Sequence, residues 1–192
     1  MKSWLRSFNI YLLAAGAVLA GGCGSHTLSM KKEYSTLRVY MEGIPGQSQQ
    51  VLVTRDKIPM CVEGEPFLTE EDVGKAKLVD NPDGTFEIAV TFNDHAALVL
   101  DMHTTSNRGK HLIIFSHFPP KGWKGPQGGD SSSVQKPEPG QPRVSAWLCA
   151  PVIRRGLSEG QLLFTPDATH DEAERIVRGL NNMVKEFEKV ND

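Results

Sequence analysis

The chain has 192 residues, 21 Lys+Arg against 23 Asp+Glu, and a formal net charge of −2. That length suits one domain with a real core. The near-neutral balance supplies no basic field for nucleic acid.

The first segment reads as a leader and not as fold. "MKSWLRSF" carries Lys2 and Arg6 and no acid, an apolar run follows from Ile10 to Leu19, and small residues precede Cys23. This is the layout of a secretory signal. The apolar run is shorter than the roughly 20 residues that span a bilayer. "LAGGC" resembles a lipobox, with Ala20 where the usual pattern has Leu. The resemblance implies cleavage before Cys23 and acylation of its thiol. Residues 1–22 are then a lipoprotein signal peptide and 23–36 a lipidated tether. An ordinary cleaved signal and a short uncleaved anchor are the alternatives. Without Lys2 and Arg6, 19 basic residues face 23 acidic ones, a balance of −4. Gly24 stands where an Asp would retain many such lipoproteins at the inner membrane, which favours the outer membrane.

"LRVYMEG" (37–43) and "QQVLVTR" (49–55) are strand-like, and "IPGQS" between them holds turn residues. They predict a β-hairpin, with 37–67 an N-terminal extension. Thr69 caps a short helical turn with Glu70, Glu71 and Asp72 at its positive end. "KAKLVD" and "TFEIAVTF" flank the turn signal "NPDG" and form a strand pair. In the second strand Phe86, Ile88, Val90 and Phe92 share a face. Asn93 is an N-cap for a helix over "DHAALVLDMHTTS". "NRGK" ends that helix and "HLIIFSHF" is the next strand. Residues 119–142 are rich in Pro and Gly and read as a flexible insertion that holds Trp123. "RVSAWLCAPVI" and "GQLLFT" are strands. The final helix opens on a capping box, Thr169 to Glu172. Its apolar face holds Ala173, Ile176, Val177, Leu180, Val184 and Phe187, and Gly179 marks close packing. The order from residue 75 is β-β-α-β-loop-β-β-α. It predicts an α+β two-layer sandwich, a mostly antiparallel sheet with two main helices on one face, over 68–190.

Thr104-x-x-Asn107-x-Gly109-Lys110 after a strand and helix, then Ala150-Pro151 at a strand end, then "GQLLFT" before "EAERIVRGL", resembles the head subdomain in the first periplasmic domain of SecD and SecDF. The match covers about residues 68–182. It implies a SecD-head-like fold and an exported, non-catalytic module that contacts polypeptides, with the Sec translocase as a candidate partner. Proton-driven motor activity does not carry over, because that family uses transmembrane helices for it.

The residues themselves offer little chemistry. "NRGK" lies at a helix C-terminus, where the dipole is negative, so it reads as a stop signal and not a phosphate cradle. His95, His103, His111, His117 and His170 lack zinc-site spacing; His111 and His117, six apart on a strand, lie about 20 Å apart. Neither metal nor cofactor is expected. Ser116, His117 and Ser145 are strand residues with no acid partner in the sequence pattern. Cys149 sits in an apolar strand, where a thiol loses reactivity. Cys61 and Cys149 form either a disulfide, worth roughly 4 kcal/mol for a loop of this size, or two buried thiols. The leading expectation is a non-enzymatic envelope lipoprotein on the periplasmic side that binds a protein partner. A metal-dependent hydrolase or other envelope enzyme, and a small-ligand or glycan binder using Trp123, are the alternatives.

Overall fold

The computed structural model describes residues 33–122 and 144–191. The leader, Cys23, His26, most of the tether, Trp123 and most of the 119–142 insertion lie outside the described residues.

In chain order, β1 (Thr36–Met41), β2 (Gln49–Val53), β3 (Ile58–Val62) and β4 (Leu68–Thr69) lead to a 3-10 turn at Glu70–Asp72. Then come β5 (Val73–Asp80), β6 (Phe86–Phe92), α1 (Asp94–Ser106), β7 (Leu112–Phe118), β8 (Val144–Cys149), β9 (Gln161–Phe164) and α2 (His170–Asn191). The fold is α+β with three antiparallel sheets, ordered β4-β1-β7-β8, β2-β3 and β5-β6-β9. One main core gathers Leu37, Val39, Ile88, Val90, Leu100, Ile114, Leu148, Ile176 and Leu180. Both helices and both larger sheets contribute to it.

The local chemistry explains the elements. Alternation on β6 buries Ile88, Val90 and Phe92 and leaves Thr91 exposed. Asn93 caps α1 through its side-chain oxygen on the Ala96 N–H, 2.9 Å. Thr69 and Asp72 form a reciprocal capping box. Thr169 and Glu172 form another, with the Thr169 N–H to Glu172 Oε2 at 2.7 Å and the Glu172 N–H to Thr169 Oγ1 at 3.3 Å. Each satisfies helix-start donors that otherwise face nothing.

The expected hairpin over 37–55 does not form. β1 pairs with β4 and β7, in the main sheet, while β2 pairs with β3. The 36–41 strand is therefore part of the core and not of an appended extension. The turn signal at 44–48 is a real turn: the N–H groups of Gln47 and Ser48 both bond the Ile44 carbonyl, and Gly46 has φ +81°. It redirects the chain out of one sheet and into another. The true β2–β3 turn runs Thr54–Lys57 and contains no Gly, Pro or Asn. It closes with Thr54 at φ 62° and Lys57 at φ 56°, conformations that L side chains seldom adopt.

The β2–β3 hairpin crosses the outer face of the four-stranded sheet. Val51, Val53, Val62 and Ile113 form a small second core there, flanked by Tyr40, Met60, Trp147 and Ala150. At its root the Gly43 N–H bonds the Cys61 carbonyl and the Glu63 N–H bonds the Met41 carbonyl. At its tip the Thr54 N–H bonds the Trp147 carbonyl, 3.1 Å.

Candidate functional site

The Thr104–Lys110 motif is a splice between two chain segments. Thr104 Oγ1 donates to the Leu100 carbonyl at 2.7 Å and accepts the Leu157 N–H at 2.9 Å. Asn107 Nδ2 donates to the His103 carbonyl, 2.9 Å. Gly109, at φ +89°, turns its N–H to the Ile153 carbonyl, and the Ile153 N–H returns to the Lys110 carbonyl. The Leu112 N–H bonds the Pro151 carbonyl, 2.9 Å. The two segments, 104–112 and 151–157, thus meet in space. The Thr104 hydroxyl, the Asn107 amide and the Gly109 N–H are all bonded to backbone groups.

The histidines are dispersed. His103 stacks on Phe67, with ring centroids 4.5 Å apart and planes 17° apart. His111 Nδ1 lies 2.7 Å from Glu42 Oε2, which also accepts the His111 N–H. Burial pushes the Glu42 carboxyl up, but the His111 contacts outweigh it and hold the group below its ordinary value. His170 bridges Asp80 at 2.9 Å and Glu174 at 3.5 Å. Among the described residues no three His, Cys, Asp or Glu converge on a common point.

Of the two alternatives for the cysteines, the structure has the free thiols: Cys61 and Cys149 are not bonded to each other. Val62 faces the second core, so its neighbour Cys61 points to the opposite side of the hairpin. Cys149 packs against the main core, where burial pushes its thiol up to about 12.

Two arrangements were not legible in the sequence. Ser145 Oγ lies 2.7 Å from His117 Nδ1 across β7 and β8, a contact that only the register His117↔Ser145 creates. Beside it is a cavity of about 280 Å3. Leu52, Thr54 and Arg55 form one wall, Phe118 and the strand from Val144 to Leu148 another, and Asp167 and Glu172 close one end. Arg55 ties the walls together. Its N–H bonds Asp167, and its guanidinium donates to Glu172 Oε2 at 2.8 Å. Burial raises the Glu172 carboxyl, but the Thr169 N–H and hydroxyl, with Arg55 and Arg175, bring it below its ordinary value. Thr54 Oγ1 is buried with no hydrogen-bond partner among the described residues. The capping box revealed Glu172, but nothing in "VLVTRDK" marks Arg55 as its partner.

No family model and no curated protein matches the chain. Among solved structures, it is similar to one described as a membrane component SecDF that enhances protein export, with TM-score 0.49 and 17% identity over 77% of this chain and 62% of that one. It is also similar to SecDF in a super-membrane-facing form, with TM-score 0.49 and 18% identity over 77% of this chain and 19% of that one. A third, the translocon-associated SecDF of Thermus thermophilus, gives TM-score 0.42 and 20% identity over 79% and 20%. The chain therefore spans less than two thirds of each of these proteins.

Proposed function

We propose that this chain is a lipid-anchored envelope protein whose SecD-head-like domain works by binding a protein partner, in a role related to protein export. The observation that carries the reading is the ordered motif series, Thr104 to Lys110 and then Ala150-Pro151, behind a leader, residues 1–22, that is followed by Cys23. The Sec translocase is the first partner to test. The cavity beside β8 is the contact surface of choice, because its wall mixes apolar side chains with the charges of Arg55, Asp167 and Glu172.

Two experiments address the two halves of this reading. Labelling with a fatty-acid probe should mark the full chain and fail on Cys23→Ala, which should also leave the membrane fraction. A photo-crosslinking residue at Leu52 should trap one discrete envelope polypeptide, while one at exposed Asp83 should not. Equal trapping at both positions would remove the site from consideration.

A hydrolase is the second reading, favoured by the Ser145–His117 contact at the cavity rim. A fluorophosphonate probe that labels wild type and not Ser145→Ala would support it; no labelling would dismiss it.

A further inference from the structure

Among the described residues β8 ends the four-stranded sheet, so one side of it has no partner strand there. Such an edge presents unpaired backbone groups. The Trp147 carbonyl points to that side, since it accepts the Thr54 N–H. In an antiparallel ladder outward-pointing residues alternate. Ser145 therefore turns its N–H and carbonyl the same way, along the cavity wall. The β2–β3 hairpin lies along this edge through Leu52 and bonds it at its tip, through the Thr54 N–H.

Three features meet at this tip. Thr54 and Lys57 hold positive φ values without glycine. The Thr54 hydroxyl is buried without a partner among the described residues. The fastening is ionic and solvent-facing: the Arg55 side chain is 61% exposed beside Asp167 and Glu172. The root, by contrast, is bonded into β1 through residues 41–43 and 61–63. Between them the hairpin buries only Val51, Val53 and Val62 against Ile113, a much smaller cluster than the main core.

We propose that the β2–β3 hairpin is a releasable strap, hinged at Glu42–Gly43 and latched at Arg55, that governs access to the outer edge of β8. Release uncovers the Trp147 carbonyl and the aromatic group Tyr40, Phe115 and Trp147, whose rings lie 4.8–5.4 Å apart on the outer face. The latch occupies the edge in the closed state, so a partner for that edge competes with Thr54. The strap goes beyond the partner-binding reading and does not depend on it, because opening is measured on the protein alone.

The test is hydrogen–deuterium exchange on the detergent-extracted full chain, as wild type, Arg55→Ala and Arg55→Lys. In wild type, peptides covering 49–62, which hold the Thr54 N–H that bonds the Trp147 carbonyl, should exchange through an opening that β5 and β6 do not share. Arg55→Ala should speed those peptides about tenfold and leave β5 and β6 unchanged, with Arg55→Lys intermediate because it keeps the charge and loses the fork. Salt near 1 M, where the Debye length is about 3 Å, should speed wild type and not Arg55→Ala. The proposal is overturned if the hairpin exchanges only at the rate of β5 and β6, or if Arg55→Ala accelerates all regions alike. Failed crosslinking with intact strap opening would remove the partner reading and leave the strap.

Discussion

Gly179 of α2 lies directly against Ser35. A Cβ built on residue 179 would sit 2.1 Å from Ser35 Oγ and 2.6 Å from the Ser35 backbone nitrogen. Ser35 is fully buried, and its hydroxyl donates to the Arg175 carbonyl at 3.3 Å. The glycine thus lets the helix press onto the chain as it enters β1. Gly179→Ala gains about 1 kcal/mol of helix propensity but forces an overpacking cost of about 1–3 kcal/mol. Because the backbone nitrogen cannot swing aside as a side chain can, the net effect should be destabilising. Urea unfolding, read by circular dichroism, should show a lower midpoint for Gly179→Ala; a higher one would mean that the helix shifts freely.

Asn181, two residues on, holds β5 from the side. Its Oδ1 accepts the Ala76 N–H at 3.0 Å and its Nδ2 donates to the Ala76 carbonyl at 2.9 Å. Asn181→Leu leaves both backbone groups without their partner, at about 1–3 kcal/mol. Asn181→Asp keeps one bond and loses the other, so it should fall between wild type and Leu. Equal midpoints for all three would show that water replaces the amide at no cost.

The Glu42–His111 contact makes an acid-side prediction. The folded carboxyl sits below its ordinary value of 4.5. A depressed carboxyl stabilises the fold above the unfolded value, and that stability is lost as pH falls through the folded value. Glu172 behaves alike. Wild type should therefore lose stability below about pH 4.5, and Glu42→Gln should flatten part of that slope while being less stable at pH 7. Parallel curves for the two proteins from pH 3 to 7 would refute the link.

The thiols give a chemical count. With Cys149 pushed up to about 12, almost none of it is thiolate at pH 8. Alkylation of Cys149 in the native protein should be far slower than in denaturant. Without any reductant, denatured protein should yield both Cys61 and Cys149 as alkylated peptides. A shared, reductant-sensitive peptide pair would restore the disulfide.

What the sequence showed and what it hid divide along physical lines. Helix signals are local, and they were legible: the Asn93 cap, the Thr169–Glu172 box and the close approach at Gly179 all appear where the pattern placed them. The 37–55 hairpin failed because a turn signal does not say which strand comes back. Gly46 and its neighbours turn the chain between sheets, whereas the true hairpin turn at Thr54–Lys57 has no Gly, Pro or Asn and only Asp56 to mark it. The cavity and the Ser145–His117 contact depend on register between segments far apart in the chain. No local spacing encodes such a meeting. The 104–110 motif lay between these extremes: Asn107 and Gly109 announced a helix stop, but the bond from the Gly109 N–H to the Ile153 carbonyl needed the folded chain.

The clamp on Ala76 also bears on how the molecule behaves in a crowd. Among the described residues β5 is an end strand of its sheet, and an unfilled strand edge is a template on which other chains can stack into fibres. Asn181 offers the Ala76 backbone an amide that imitates a neighbouring strand, so the growth point there is already occupied. Asn181→Leu, which frees that position, should therefore form fibres sooner than wild type at equal concentration, as read by thioflavin fluorescence; equal lag times would refute this.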